Sequence, residues 1–218
     1  MTAALRAADR FRQSRFLHGY CKGKATWDPA YPAVAEILKN SGHPLLDIGC
    51  GVGLLAAYLR ESGCGQRILG IEPDATKVQI ATEQVATGYP LLEFQVGDAR
   101  DLPDFSGDIV MLDVLHYMPE DVQRSVLEQI AACILPGGRA LIRTTFRDRS
   151  WRYYATLAEE VFVRISGWIR GGTCHFPTQA EVTNPFHGPE WNVSVIPMWG
   201  RTPFNSHLVE IVRVPASG

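Results

Sequence analysis

The chain has 218 residues, 46% of them hydrophobic and 20% charged, with a formal net charge of −2. No apolar run approaches the ~20 residues a membrane span requires, and a pI near 6.3 lacks the general basic footprint of a nucleic-acid binder. The length suits one open sheet with helices on both faces, so a single domain is expected.

Residues 1–44 are expected to form a helical cap. Its stretch to Lys24 carries six basic residues against the single acid Asp9. An apolar block followed by a small-residue cleavage site is missing, which points to a cytoplasmic address. In "DPAYPAVAEILKNSG", Asp28 is placed to cap a helix, Pro29 to occupy its first turn and Gly42 to mark its exit.

From residue 45, short apolar runs alternate with helical patterns, as in parallel strands joined by crossover helices. "PLLDIG" and "RILGIE" read as strands around the helix "LLAAYLRESG". "DATKVQIATEQVA" reads as a helix capped by Asp74, with Val78, Ile80, Ala81 and Val85 available for its inner face. "LEFQV" and "SGDIVMLDVL" are further strands, then "EDVQRSVLEQIAACI" a helix and "GRALIRTTF" a fifth strand. These strands look too apolar for a wet face and are expected inside the sheet.

"SWRYYATLAEEVFVRISGWI" reads as a long amphipathic helix, and residues 171–190 as an irregular, aromatic-rich candidate lid in which "NPF" marks a turn. "WNVSVIPM" and "SHLVEIVRV" are too close for a parallel crossover and should pair as an antiparallel hairpin. The expected architecture is α/β: a Rossmann-like, doubly wound seven-stranded sheet, mostly parallel, with a C-terminal antiparallel hairpin. Its parts are the cap (1–44), a cofactor-binding core (45–145), a helix with a lid (146–191) and the hairpin (192–218).

Charge is uneven along this plan. Residues 71–131 hold twelve acids against Lys77, Arg100 and Arg124, whereas Arg139–Arg170 holds seven arginines against three acids. Solvated faces account for such blocks, and attraction of an acidic substrate or carrier is the alternative. The five cysteines are scattered, with no metal or redox spacing, and read as reduced packing residues; Cys50 lies inside a glycine turn where a small side chain suffices. No metal ligand set is expected.

The turn Gly49-Cys50-Gly51-Val52-Gly53 is followed by Leu54 where a dinucleotide fingerprint requires its third glycine. Asp47 stands two residues ahead of it. A carboxylate there disfavours a pyrophosphate and suits a cationic amino group.

"LLDIGCGVG", "LGIEPD", "VGDARDLP", "DIVMLDVLHYMPE" and "LPGGRALI" occur in the order and at the strand ends that resemble the class I S-adenosylmethionine-dependent methyltransferases, across about residues 45–145. The resemblance implies that Asp47, Gly49, Cys50, Gly51 and Gly53 hold the methionine end of S-adenosylmethionine. It places Glu72, with Pro73, at the ribose hydroxyls, Asp98 and Ala99 at the adenine, and Asp113, Val114 and Leu115 along the cofactor's other side. The product would be S-adenosylhomocysteine. His116 is the candidate general base, Tyr117 a wall or orienting group beside it; packing of His116 without a proton role is the competing reading.

"DVLHYMP" lacks the Asn/Asp-Pro-Pro-aromatic block of base methyltransferases, and no acidic loop suggests a protein arginine substrate, so a small-molecule acceptor is expected and nucleic acid is not. "FRQSRFLHGYCKGKATWDPAY" and "RTPFNSHLV" resemble a bacterial methyltransferase subgroup associated with aryl polyene pathways. That implies an aromatic acyl acceptor on an acyl carrier protein, docked by Arg10, Arg12, Arg15, Lys22 and Lys24. Trp168, His175, Phe176, Phe186, His187 and Trp191 are material for an aromatic pocket. The rival readings are an NAD-binding oxidoreductase and a non-catalytic S-adenosylmethionine-binding protein.

Overall fold

The computed structural model describes the backbone of residues 1–165, 174–200 and 202–215, and their side chains outside 159–165. Seven strands form one mixed sheet: β1 (Leu45–Ile48), β2 (Ile68–Glu72), β3 (Leu92–Val96), β4 (Asp108–Leu112), β5 (Arg139–Thr145), β6 (Trp191–Pro197) and β7 (Ser206–Arg213), in the order β3-β2-β1-β4-β5-β7-β6. The expected α/β plan with its closing hairpin is what is found. The chain divides into two compact units, residues 1–110 and 111–218, and the division falls inside the β4 sequence rather than at a linker.

In the first unit, α1 (Ala3–Asp9) and α2 (Arg15–Trp27) are capped by Thr2 and Ser14. Asp28 accepts a hydrogen bond from Ala30 N (3.0 Å) at the start of α3 (Ala30–Leu38), as its sequence position suggests. That helix ends at Leu38, short of the predicted exit at Gly42, because Ser41 N already bonds back to Leu38 O (3.0 Å). α4 (Leu54–Glu61) and α5 (Ala75–Gln84) cross between parallel strands, and Asp74 caps α5 by accepting from Thr76 N and Lys77 N. Val78, Ala81 and Val85 are buried, whereas Ile80 is half-buried.

β1 pairs with β2 so that Asp47 stands beside Gly70, and β2 pairs with β3 so that Glu72 stands beside Val96. β1 is buried throughout. β3 departs from expectation: it is an edge strand with Glu93 and Val96 exposed and Phe94 its one buried residue. Phe94 nevertheless fixes the local geometry. A Cβ on Gly70 would lie 2.5 Å from its ring and one on Gly53 2.8 Å, so both glycines make room for the ring beneath the turn.

In the second unit, β5 and β6 flank β7 in antiparallel register, from Arg139↔Val212 to Thr145↔Ser206 and from Trp191↔Arg213 to Pro197↔His207. α6 (Glu120–Cys133) buries Gln123, Val126, Leu127 and Ile130. Asn205 ties the start of the hairpin to its surroundings: its amide donates to Phe146 O and Asp148 Oδ2 (both 2.9 Å), and its backbone N donates to Thr156 Oγ1. α7 (Trp151–Ile165) is the long helix expected; the rest of that run, including Trp168, lies outside the described residues, as do the lid's first three residues and Arg201. The described part of the predicted irregular region contains α8 (Gln179–Thr183), started by a capping box in which Thr178 accepts from Glu181 N and Glu181 accepts from Thr178 N. "NPF" forms a short 3-10 turn.

Candidate active site

The first unit builds an acidic cradle around the turn after β1. Gly49, Gly51 and Gly53 have φ of 75°, 55° and 80°, left-handed values that disfavour side chains. Gly49 N and Cys50 N both donate to Ile71 O (2.8 and 3.0 Å), tying the turn to the end of β2. Beside Gly51 the space is open, for a Cβ there would meet nothing within 4 Å. Cys50 is buried, and desolvation pushes its thiol far up, so it stays a protonated packing group. All five cysteines are free thiols.

Asp47 is 3% exposed, and its Oδ2 has no hydrogen-bond partner among the described residues. Burial, reinforced by the nearby Glu72 charge, raises its carboxyl to about 7. Glu72 is also buried; one oxygen accepts from Gly51 N (3.1 Å), while the other accepts from Asp74 N (3.3 Å) and lies 3.5 Å from Lys77 Nζ. Pro73, next to it, is exposed. Gly97 N donates to Glu72 O (3.2 Å), which brings the end of β3, and with it Asp98, alongside Glu72. Asp98 itself is clamped by Arg100, whose Nε and Nη2 stand 2.9 and 2.5 Å from its oxygens and hold its carboxyl below the usual range. Ala99 is buried behind it.

The second unit places Asp113, Val114, Leu115, His116 and Tyr117 on one tight segment after β4, with Leu115–Tyr117 a 3-10 turn. Asp113 adopts φ 61°, held there by Arg143: its N donates to Arg143 O (3.1 Å), and its carboxylate takes both Nε (2.8 Å) and Nη2 of the buried Arg143 guanidinium. Val114 is half-buried, whereas Leu115 is fully buried and offers only backbone to a ligand. His116 is 7% exposed, its ring 4.2 Å from that of Tyr117 and stacked at 5.2 Å on Phe176, which Tyr153 meets edge-on at 6.0 Å.

Two supporting residues went unread in the sequence. Gln123 is 3% exposed and donates to Met118 O (2.9 Å) and His175 O (2.7 Å), stapling the His116 turn to the segment that carries Phe176. Arg143 sits mid-strand; its signal was an arginine inside the apolar run "ALIRTTF". Glu120, His175 and Glu181 bring donor atoms within 4.8 Å of one another. Glu181 is already engaged by Thr178 N and Arg147, so a charge network accounts for the group.

Of the cations expected to dock a carrier, Arg10 bonds Gln84 O (3.0 Å) and stacks on Tyr89, Arg12 pairs with Asp9, and Lys24 pairs with Asp28 (3.1 Å); Arg15 and Lys22 are exposed. No helix among the described residues is long and apolar enough to cross a membrane.

Residues 45–138 match the family model described as a methyltransferase domain. The chain is 28% identical over 153 residues to a ubiquinone biosynthesis O-methyltransferase of Rhodopseudomonas palustris, covering 68% of this chain and 58% of that protein. It is 32% identical over 162 residues to methyltransferase GfsG of Streptomyces halstedii, covering 68% and 57%. The chain thus spans little more than half the length of these relatives. Its fold is similar to magnesium protoporphyrin IX methyltransferase from Synechocystis, solved with bound S-adenosylhomocysteine (TM-score 0.66, 19% identity, 94% of this chain and 93% of that one). The mitomycin 7-O-methyltransferase MmcR has a TM-score of 0.64 at 22% identity, with 98% and 61% covered. Residues 45–138 thus form a methyltransferase domain, and the fold is that of methyltransferases solved with bound S-adenosylmethionine or its product.

Proposed function

We propose that the protein transfers the methyl group of S-adenosylmethionine to the hydroxyl of a small aromatic acceptor. The observation that carries this reading is the buried, unpartnered Oδ2 of Asp47 beside the glycine turn. A buried acceptor oxygen costs about 1–3 kcal/mol when left unsatisfied, so a ligand that brings a cationic donor to it is strongly favoured. The amino group at the methionine end of the cofactor is such a donor. A dinucleotide would instead bring phosphate charge to the same carboxylate, and Leu54 occupies the position of the third glycine it needs.

When bound, the cofactor supplies a methyl group already activated by its sulfonium. The chain's contribution is placement and proton management. In this reading Asp47 holds the amino group, Glu72 accepts the ribose hydroxyls, Gly51 lets the ligand lie close to the backbone, and Asp98 with Ala99 receives the adenine. Asp98 takes that role by sharing its carboxylate with Arg100. Alignment of the acceptor for in-line attack can account for ~7–11 kcal/mol of barrier. His116 takes the hydroxyl proton, with Tyr117 orienting the acceptor. The rings of His116, Tyr117, Phe176 and Tyr153 support an aromatic acceptor, and the O-methyltransferase names of the relatives support a hydroxyl.

Calorimetry with S-adenosylmethionine, S-adenosylhomocysteine and NADH tests the cofactor: heat from the first two and none from NADH is expected, and the reverse would overturn the assignment. Release of S-adenosylhomocysteine in the presence of phenolic acceptors separates an enzyme from a non-catalytic binding protein. His116→Ala should cut turnover by about a hundredfold or more while cofactor affinity stays near normal. Unchanged turnover would remove the base role and leave His116 as packing.

A further inference from the structure

Helix α2 buries Cys21 and Ala25 on one side, and on the opposite side displays Phe16, Tyr20 and Trp27 at 66, 47 and 77% exposure. At ~100° and 1.5 Å per residue these rings fall within an arc of about 40° and along roughly 16 Å of helix. Gly19 and Gly23 share that face, and a Cβ on either would meet nothing within 4 Å. The exposed Arg15 and Lys22 border the stripe on one edge; Lys24, on the other, is paired with Asp28 just past the helix (3.1 Å), and α2 itself contains no acidic residue.

We propose that this face of α2 seats the protein on an anionic lipid surface. A convex single-helix face suits a plane better than a groove. Tyr and Trp rings gain from a boundary that covers the ring and leaves the hydroxyl or indole N–H at headgroup level. The exposed cations Arg15 and Lys22 along one edge are then set against lipid phosphate, whose charge they complement. A 13-residue helix of this polarity lies in the interface and does not cross it.

Sedimentation with phosphatidylcholine vesicles containing about 30% phosphatidylglycerol should show at least ~tenfold stronger partitioning than with phosphatidylcholine alone, and high salt should abolish the difference. Phe16→Ser with Trp27→Ser, and separately Arg15→Glu with Lys22→Glu, should each lower partitioning about tenfold or more with circular dichroism and melting unchanged. Equal binding to neutral vesicles, or partitioning unaffected by both pairs of substitutions, would overturn the proposal. It would equally fall if the native chain bound no vesicles and the same substitutions instead abolished a dimer on sizing chromatography or capture by an acyl carrier protein.

Discussion

The turn after β1 and the segment after β4 each end an apolar strand with left-handed backbone and an aspartate, yet their polar groups meet opposite fates. Asp113 stays partly open to solvent but is paired with the guanidinium and carbonyl of Arg143, and Gln123 staples the following turn in place. Asp47 is far more deeply buried, at 3% exposure, yet keeps an oxygen without a partner among the described residues, and Gly51 faces open space. The first arrangement is complete and gives a stiff wall. The second is incomplete, and in the proposed function a ligand completes it. Burial alone therefore does not decide an acid's role; the contrast turns on whether the fold supplies its counter-charge.

This contrast breaks first at Arg143. Asp113→Ala removes the carboxylate from a buried guanidinium; because that carboxylate is itself partly exposed, stability should fall by about 2–3 kcal/mol, a drop in Tm of roughly 4–12 °C. An unchanged Tm would show that the pair does not hold the segment. Gln123→Ala strands two backbone carbonyls and should cost ~1–3 kcal/mol in denaturant unfolding, with a further loss of turnover because the ring stack at His116 loosens. Gly51→Ala meets no steric obstacle and should cost only about 1 kcal/mol, from its backbone conformation, yet it should weaken cofactor binding because its methyl enters the open space. The smallest effect belongs to Arg100→Ala: the exposed pair with Asp98 is screened by solvent, so stability should hardly move, and a large loss of stability would contradict its surface character.

Much of the fold was legible because the signals were local. Alternating strands and helices, the Asp74 cap and the close spacing of the last two strands each depend on a few neighbouring residues. The wet edge at β3 was less visible, since "LEFQV" carries the same residue types whether a strand lies inside a sheet or at its rim, and only strand order decides. The capping box at Thr178 and Glu181 was written in "TQAE", but the surrounding Pro, Gly and aromatic residues masked it. In the site, the glycine turn and the acids at 47, 72 and 98 were readable as types at strand ends. The Arg100 clamp on Asp98, the pairing of Asp113 with Arg143 and the Gln123 staple were not, because each is a matter of where a side chain turns.

Proton linkage at Asp47 gives the most direct test. In the free protein its carboxyl is raised to about 7, so the folded state holds a proton that the unfolded chain releases at lower pH. Its contribution to stability is present at low pH and is lost as pH rises through about 7. A bound ammonium group favours the charged carboxylate and reverses that preference. Calorimetry of S-adenosylmethionine binding below and above that pH, in buffers of different ionisation enthalpy, should show weaker affinity and proton release on the acid side. Both effects should disappear in Asp47→Asn, whose affinity should be lower by about a hundredfold on the alkaline side. Equal affinity and equal proton exchange in the native and substituted proteins would contradict the assignment of Asp47 as the group that receives the cofactor.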